Sequence, residues 1–285
     1  MSAVPQIPED PTFSFAFQPI VDAVAREVSG FEALIRGTWD EPAWQVLQQV
    51  PPAHLNQFDQ TARSAAISLA ARLGVSGNLH LNFLPNALQD SPRTILTTIE
   101  RAHQVGLPIH RIVLEVPERD VSENPSEFAD LMREVRGLGI QLAIDDYGGG
   151  GSGLNLLADL DPDQVKLDMG LVRGIERHGP RQSIVRAIVS LCAELDIAVV
   201  AEGVETVPQF AWLAANHVRL FQGYLFARPA FEAFPKASFP PLPARLSRHS
   251  PSRSFRRCLP TSPCPRRFPS SPLTSRPQPA AQKRA

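Results

Sequence analysis

Short apolar runs recur along this chain, and almost every one is followed by a stretch whose apolar residues have helical spacing. The runs are Phe13–Val21, Val28–Ile35, Asn78–Leu84, Arg111–Val116, Ile140–Asp146, Gln164–Asp168, Ile197–Glu202 and Val218–Gly223. Helical patterns lie between them over Glu41–Val50, Asp59–Leu73, Pro92–Val105, Glu127–Leu138, Leu154–Leu160, Arg181–Leu195 and Val207–Asn216. Strands alternating with helices build a parallel sheet. Seven or eight strands in roughly 220 residues fit a closed (β/α) barrel better than an open doubly wound sheet. No GxGxxG fingerprint opens any helix, so a dinucleotide fold has no support. The first two runs lack a helix between them, which predicts one antiparallel strand.

The polar residues add a second regularity. Glu32, Asn82, Glu115, Asp145, Asp146, Lys166 and Glu202 each lie within, or at the C-terminal end of, a different expected strand, the adjacent Asp pair excepted. In a (β/α) barrel those ends converge on one mouth, where barrel enzymes place their chemistry. Five converging carboxylates are not tolerated without cations between them. Oxygen-rich donors with one amide select hard divalent ions such as Mg²⁺ or Mn²⁺. Five acids exceed the need of one ion, which points to two ions sharing a bridging Asp. Paired ions activate a water and clamp the oxygens of a phosphoryl centre, and Lys166 at the rim orients the water or neutralises developing charge. Metal-assisted phosphoester hydrolysis leads; a metal-dependent aldolase or enolisation barrel is the rival. No Ser or Cys nucleophile has a partner His at a strand end. His80 is expected on the strand face opposite Asn82, packed outside the barrel.

Composition narrows the partners. The 285 residues are 43% hydrophobic and 20% charged, ordinary for a globular protein. The net charge of −1 hides an asymmetry: 11 of the 28 Lys and Arg, and none of the 29 Asp and Glu, lie from Lys236 onward. The first 235 residues therefore hold 17 basic against 29 acidic groups, a net of −12. An acidic body disfavours DNA or RNA as a partner. Three cysteines, Cys192, Cys258 and Cys264, make no disulfide framework, and Cys192 reads as a reduced core thiol. No apolar run reaches membrane-spanning length, and the start of the chain lacks a signal-peptide core, so a cytoplasmic location is expected. Residues 1–11 read as a flexible leader, 12–237 as the barrel, and 238–285 as a disordered, basic, Pro/Ser/Arg-rich tail.

Eight strings carry a family resemblance in order: FQPIVD (17–22), FEALIR (31–36), LNFLP (81–85), LEVPE (114–118), IDDYGGG (144–150), VKLD (165–168), VAEGVET (200–206) and FQGYLFARP (221–229). Together they resemble the EAL-domain family of cyclic di-GMP phosphodiesterases, from about Phe15 to Pro235. The resemblance implies a modified TIM (β/α)8 barrel with one antiparallel strand. It also implies Mg²⁺- or Mn²⁺-dependent hydrolysis of cyclic di-GMP to linear pGpG, with a possible homodimer through the barrel. Carried onto this chain, Glu32, Asn82, Glu115, Asp145, Asp146 and Glu202 are expected to hold two metal ions, and Lys166 to hold the catalytic water. Gln18 and Arg36 become substrate contacts, Arg36 on a phosphate, with Gln222 at the mouth. Glu118, Asp168 and Glu205 are expected to orient ligands or anchor loops. The alternative is a receptor that binds cyclic di-GMP without hydrolysing it. Against that alternative, each metal-ligand position that can be placed is intact.

The departures lie elsewhere. Pro117 stands where the family has Thr, and the loop after the acid pair reads YGGGGSGL instead of FGTGYSSL, with Gly149, Gly151 and Gly153 in place of larger or hydroxylated residues. More glycine means more conformational entropy to lose on ordering. Weaker dimer coupling or weaker metal retention is expected from that loop.

Overall fold

Successive side chains of a strand face opposite sides, so a strand with apolar residues at one parity and polar residues at the other must separate an apolar layer from a polar one. The computed structural model describes residues 13–83, 93–119, 125–149 and 153–241, and its strands obey this rule. They are β1 (Phe13–Asp22), β2 (Glu27–Gly37), β3 (Asn78–Asn82), β4 (Ile112–Pro117), β5 (Gln141–Tyr147), β6 (Gln164–Leu167), β7 (Ala198–Ala201) and β8 (Leu220–Phe221). Each pairs with the next and β8 pairs with β1, closing an eight-stranded barrel. A two-residue β9 (Ala230–Phe231) adds to β1 outside the ring. Strands β2 to β8 run parallel, and β1 is antiparallel to both of its ring neighbours.

The helices are α1 (Ala43–Leu47), α2 (Leu55–Arg72), α3 (Arg93–Val105), α4 (Pro125–Gly137), α5 (Gly153–Leu160), α6 (Met169–Val172), α7 (Gly179–Glu194) and α8 (Val207–Ala215). Leu79, Leu81, Ile112, Leu114, Leu142, Ile144, Val165 and Leu167 from one face of the strands join Ile67, Ala70, Ile95, Phe128, Met132, Val185 and Phe210 from the helices in one buried apolar cluster. Burying each large aliphatic side chain contributes about 1.5–3 kcal/mol. The other strand face is left for the polar interior. Local signals start and stop the helices. Thr206 and Gln209 form a reciprocal capping box with Pro208 in the first turn of α8. Gly106 and Gly139 take φ of 74° and 93° just past α3 and α4, a conformation open to glycine without penalty.

The barrel with one antiparallel strand matches the expectation, and the differences are local. α2 begins at Leu55, four residues ahead of the expected Asp59, behind a 3-10 turn over Pro52–His54. α6 and β9 were not expected, because four and two residues are too short to show a period. The expected leader and the loop positions Gly150 and Gly151 lie outside the described residues, as does the chain after Pro241. Before that point, Ser238 donates to the carbonyls of Leu225 and Phe226 at 3.0 Å, and Arg26 donates to those of Phe239 and Pro240 at 3.3 Å. Contacts with the barrel therefore continue past the boundary expected at 237. Cys192 is a buried free thiol. No described helix is long and apolar enough to cross a membrane.

The antiparallel strand needs a fastening where it meets β8, since only Val21–Phe221 and Asp22–Leu220 pair there. Buried Asp22 supplies it: Oδ2 accepts from Arg219 Nε at 2.6 Å, and Oδ1 accepts from the backbone N–H groups of Val24 and Ala25 at 2.9 Å. Removing one partner of a buried ion pair strands the other. Asp22→Ala is expected to lower unfolding free energy by about 3 kcal/mol, read as a lower urea midpoint with the same slope.

Candidate active site

The polar parity of the strands points inward, and its charges gather at one end. Lys166, in the middle of β6, is 1% exposed. Its Nζ lies 2.7 Å from Glu202, 2.8 Å from Glu115, 3.1 Å from Asp145 and 3.4 Å from Glu32. A buried ammonium loses its hydration, which alone would lower its pKa; the four carboxylates outweigh that and hold it well above its usual value.

Around this cation the neighbouring strands fix the acids. Asn82 Nδ2 donates to Glu32 Oε1 at 3.3 Å, and Gln222 Nε2 donates to Glu32 Oε2 at 2.6 Å and to Gln18 Oε1 at 3.2 Å. Gln18 faces Glu32 in the β1–β2 register and itself donates to the Ala227 carbonyl. Glu115 is fully buried; Oε1 meets Lys166 and His80, whereas Oε2 has no partner among the described residues.

Asp145 and Asp146 are adjacent, and a regular strand would send them to opposite faces. A bulge resolves this: Ile144 pairs with Val165 and Tyr147 with Leu167, three steps on β5 against two on β6. Asp146 takes φ of 53°, the left-handed region that Asp tolerates better than most residues. Oxygens of Asp145, Asp146 and Glu202 then lie within 4.8 Å of one another. Two acid sets result, one around Lys166 and one containing Asp146, and they share Asp145 and Glu202. Pro117 ends β4 opposite Asp145 in register, a strand end where a missing N–H is harmless.

The remaining expected residues divide. Glu118 Oε2 accepts from the Gly148 N–H at 2.8 Å, tying the glycine loop to the end of β4. Asp168 caps α6 through the Gly170 N–H and adds to the negative field on Asp146. Arg36 lies four residues beyond Glu32 on β2, donating to its neighbour's carbonyl and 3.6 Å from Asp40. Glu205 is exposed; its backbone N–H donates to Gln209, and its side chain makes no hydrogen bond or ion pair among the described residues. Loop glycines have steric reasons as well as entropic ones. A Cβ on Gly148 would sit 2.5 Å from Leu171, and one on Gly153 2.5 Å from the Tyr147 ring.

One expectation is corrected. His80 is inside the barrel, 2% exposed, with Nδ1 2.9 Å from Glu115 Oε1. Residues two apart in a strand share a face, so His80 lies on the same side as Asn82. Burial, and then Lys166, push its pKa down to about 3, leaving a neutral ring. A second residue was also missed. Arg63 of α2 is buried in an ion pair with Asp59, donates to Thr98 of α3 at 3.2 Å, and lies 5.0 Å from the ring of Phe83 at the end of β3. Its signal was a charged i,i+4 pair on the apolar face of a helix.

The donor set fits hard divalent cations. Oxygens of Asp145, Asp146 and Glu202 come close enough together to share one ion, Glu32, Glu115 and Asn82 lie beside them, and Glu115 Oε2 is buried without a partner among the described residues. Burial, helped by neighbouring acids, raises Glu202 to about 8 and Glu115 well above the carboxylate range. Both therefore bind protons more tightly folded than unfolded. Stability should fall as pH rises through that window. His80 has the opposite sign, but its contribution is complete above pH 6.5. Chelator-treated protein is expected to lose melting temperature between pH 6.5 and about 8 and to recover it when Mn²⁺ is added. A flat profile in chelator would contradict this balance of charges.

Comparison with known proteins agrees with this geometry. The chain is 33% identical over 234 residues to an Escherichia coli (strain K12) protein named probable cyclic di-GMP phosphodiesterase PdeN, covering 76% of this chain and 43% of that one. The chain spans between 27% and 56% of the length of three curated relatives it matches. The crystal structure of a standalone versatile EAL protein from Vibrio cholerae O395, in its c-di-GMP-bound form, is 44% identical with a TM-score of 0.77, covering 82% of this chain and 98% of that one. Klebsiella pneumoniae BlrP1 in a manganese/cy-diGMP complex is 36% identical with a TM-score of 0.78, covering 85% and 62%. The family model described as EAL domain matches residues 2–229, a span that holds the whole barrel and each acid around Lys166, and the chain belongs to that family.

Proposed function

We propose that this chain is a cyclic di-GMP phosphodiesterase that opens one of the two phosphodiester bonds of the ring to give linear pGpG. The observation that carries the reading is the ring of acids around Lys166 in a member of the EAL family. In the reaction a water oxygen bonds to phosphorus, the P–O3′ bond breaks, and the departing 3′ oxygen takes a proton. Glu32, Asn82, Glu115, Asp145, Asp146 and Glu202 would hold two divalent ions, Mg²⁺ or Mn²⁺, with Asp145 and Glu202 belonging to both acid sets. Bound there, the ions would supply Lewis acidity toward a phosphate and acidify a water.

The chain's own groups account for the rest. With the acids neutralised, the Lys166 ammonium is released from four carboxylates and orients the attacking water. Gln18, held between Gln222 and the Ala227 carbonyl, and Arg36 face the substrate, Arg36 toward a phosphate. Glu118 and Asp168 hold the loops that frame Asp146. The bulge keeps the acid pair aimed at the mouth at some cost in backbone strain. We place the reaction in the cytoplasm, on the absence of a signal-peptide core from the sequence, and in a homodimer formed through the barrel, as the resemblance implies.

Turnover of cyclic di-GMP by the full chain with Mn²⁺, followed as pGpG formation, tests the reading. Glu32→Ala and Asp146→Asn are expected to lower turnover at least 100-fold. Lys166→Ala should do the same while Mn²⁺ still binds. Tight binding of cyclic di-GMP without any pGpG would make the chain a receptor and overturn the proposal. Full activity in any of the three variants would overturn that residue's role.

A further inference from the structure

One strand touches the carboxylates on both of its neighbours. β3 lies between β2 and β4, and its two inward residues divide the work. Asn82 donates to Glu32 on β2, and His80 bonds Glu115 on β4. The two glutamates are left in different states. Both oxygens of Glu32 are engaged, one by Asn82 and the other by Gln222 and Lys166. Glu115 has Oε1 engaged twice, by His80 and Lys166, while Oε2 is buried without a partner among the described residues. A carboxyl group rotates easily about its last bond, so an asymmetry this complete needs a group that fixes the rotation. Lys166 does not suffice, because a flexible ammonium surrounded by four acids can follow either oxygen. The imidazole can. It is a flat ring held among side chains of the barrel interior, with one nitrogen directed at one oxygen.

We propose that His80 is a positioning residue for the metal centre: it holds Glu115 Oε1 so that Oε2 is the oxygen offered to a divalent ion. The proposal rests on the reading of the acids as metal ligands. The Nδ1 of His80 is engaged by Glu115 Oε1 at 2.9 Å, so its action runs through Glu115. With Glu115 ionised the Nδ1–H donates, the arrangement by which a second group orients and strengthens a metal-ligating side chain. Losing such a partner weakens metal binding about 10- to 100-fold.

The test uses variants that separate the hydrogen bond from the volume. Asn places its amide nitrogen near the position of an imidazole Nδ1, so His80→Asn keeps the donor. His80→Leu removes it and fills the space, and His80→Ala removes it without overpacking should the leucine variant misfold. Mn²⁺ binding by the full chain is measured calorimetrically without substrate, and Mn²⁺ dependence of pGpG formation is measured separately. The expected result is a dissociation constant for Mn²⁺ raised at least 10-fold in His80→Leu and His80→Ala, and within about 3-fold of the parent in His80→Asn. At saturating Mn²⁺ the turnover of all three should approach that of the parent. Equal weakening in all three variants, or unchanged Mn²⁺ affinity in the two that lack the donor, would overturn the role of His80. A parent chain that binds Mn²⁺ yet forms no pGpG would overturn the proposed hydrolysis while leaving the His80 comparison decisive. A parent that takes up no Mn²⁺ would overturn both.

Discussion

A single buried ammonium holds the interior of this barrel together. Four carboxylates, on β2, β4 and β5 and just past the end of β7, lie within 3.4 Å of Lys166 Nζ. Without that cation their burial would be prohibitive, because an unpaired charge in a low-dielectric interior loses several kcal/mol of hydration. The rest of the interior follows from the same shortage of positive charge. Glu115 and Glu202 become weak acids. Asn82 and Gln222 spend their amides on Glu32. His80 remains neutral, contributing a hydrogen bond and no charge. Such an interior is built to accept further cations, and its donors are those that hard divalent ions prefer.

Geometry explains how adjacent acids serve one pocket. The β5 bulge and the positive φ of Asp146 turn what would be one inward and one outward side chain into two that meet Glu202. Glu118 and Asp168 then brace the chain on either side, one through the Gly148 N–H and the other through the start of α6. The glycines at 148 and 153 fit under Leu171 and against Tyr147 where a Cβ would collide. At these two positions glycine is a packing matter as well as a matter of freedom.

Much of the architecture was legible because it is periodic. Apolar runs of strand length, helical spacing between them and a missing first helix lead to the barrel and to its antiparallel member. The convergence of Glu32, Glu115, Asp145, Lys166 and Glu202 needed only the rule that parallel strands end on one face. What escaped was aperiodic or depended on distance. Four residues of α6 and two of β9 carry no period. Nothing in the order of residues says that Lys166 meets four acids at once, since that depends on barrel curvature. His80 was a different kind of miss: parity in β3 places it with Asn82, and a lone histidine among apolar residues reads as packing. The Asp59–Arg63 pair is hidden in the same way, inside a helix with an apolar stripe.

Inverting the first strand has a consequence for wiring. In a barrel whose strands all run parallel, the chain enters at the floor, remote from the chemistry. Here β1 runs the other way, and Phe13 lies beside Gly37, at the end of β2 from which the acids of the mouth are reached. The entry point of the fold and its reactive end are thus on one side. From Phe13 only five further residues of β1 lead to Gln18, which is bonded to Gln222.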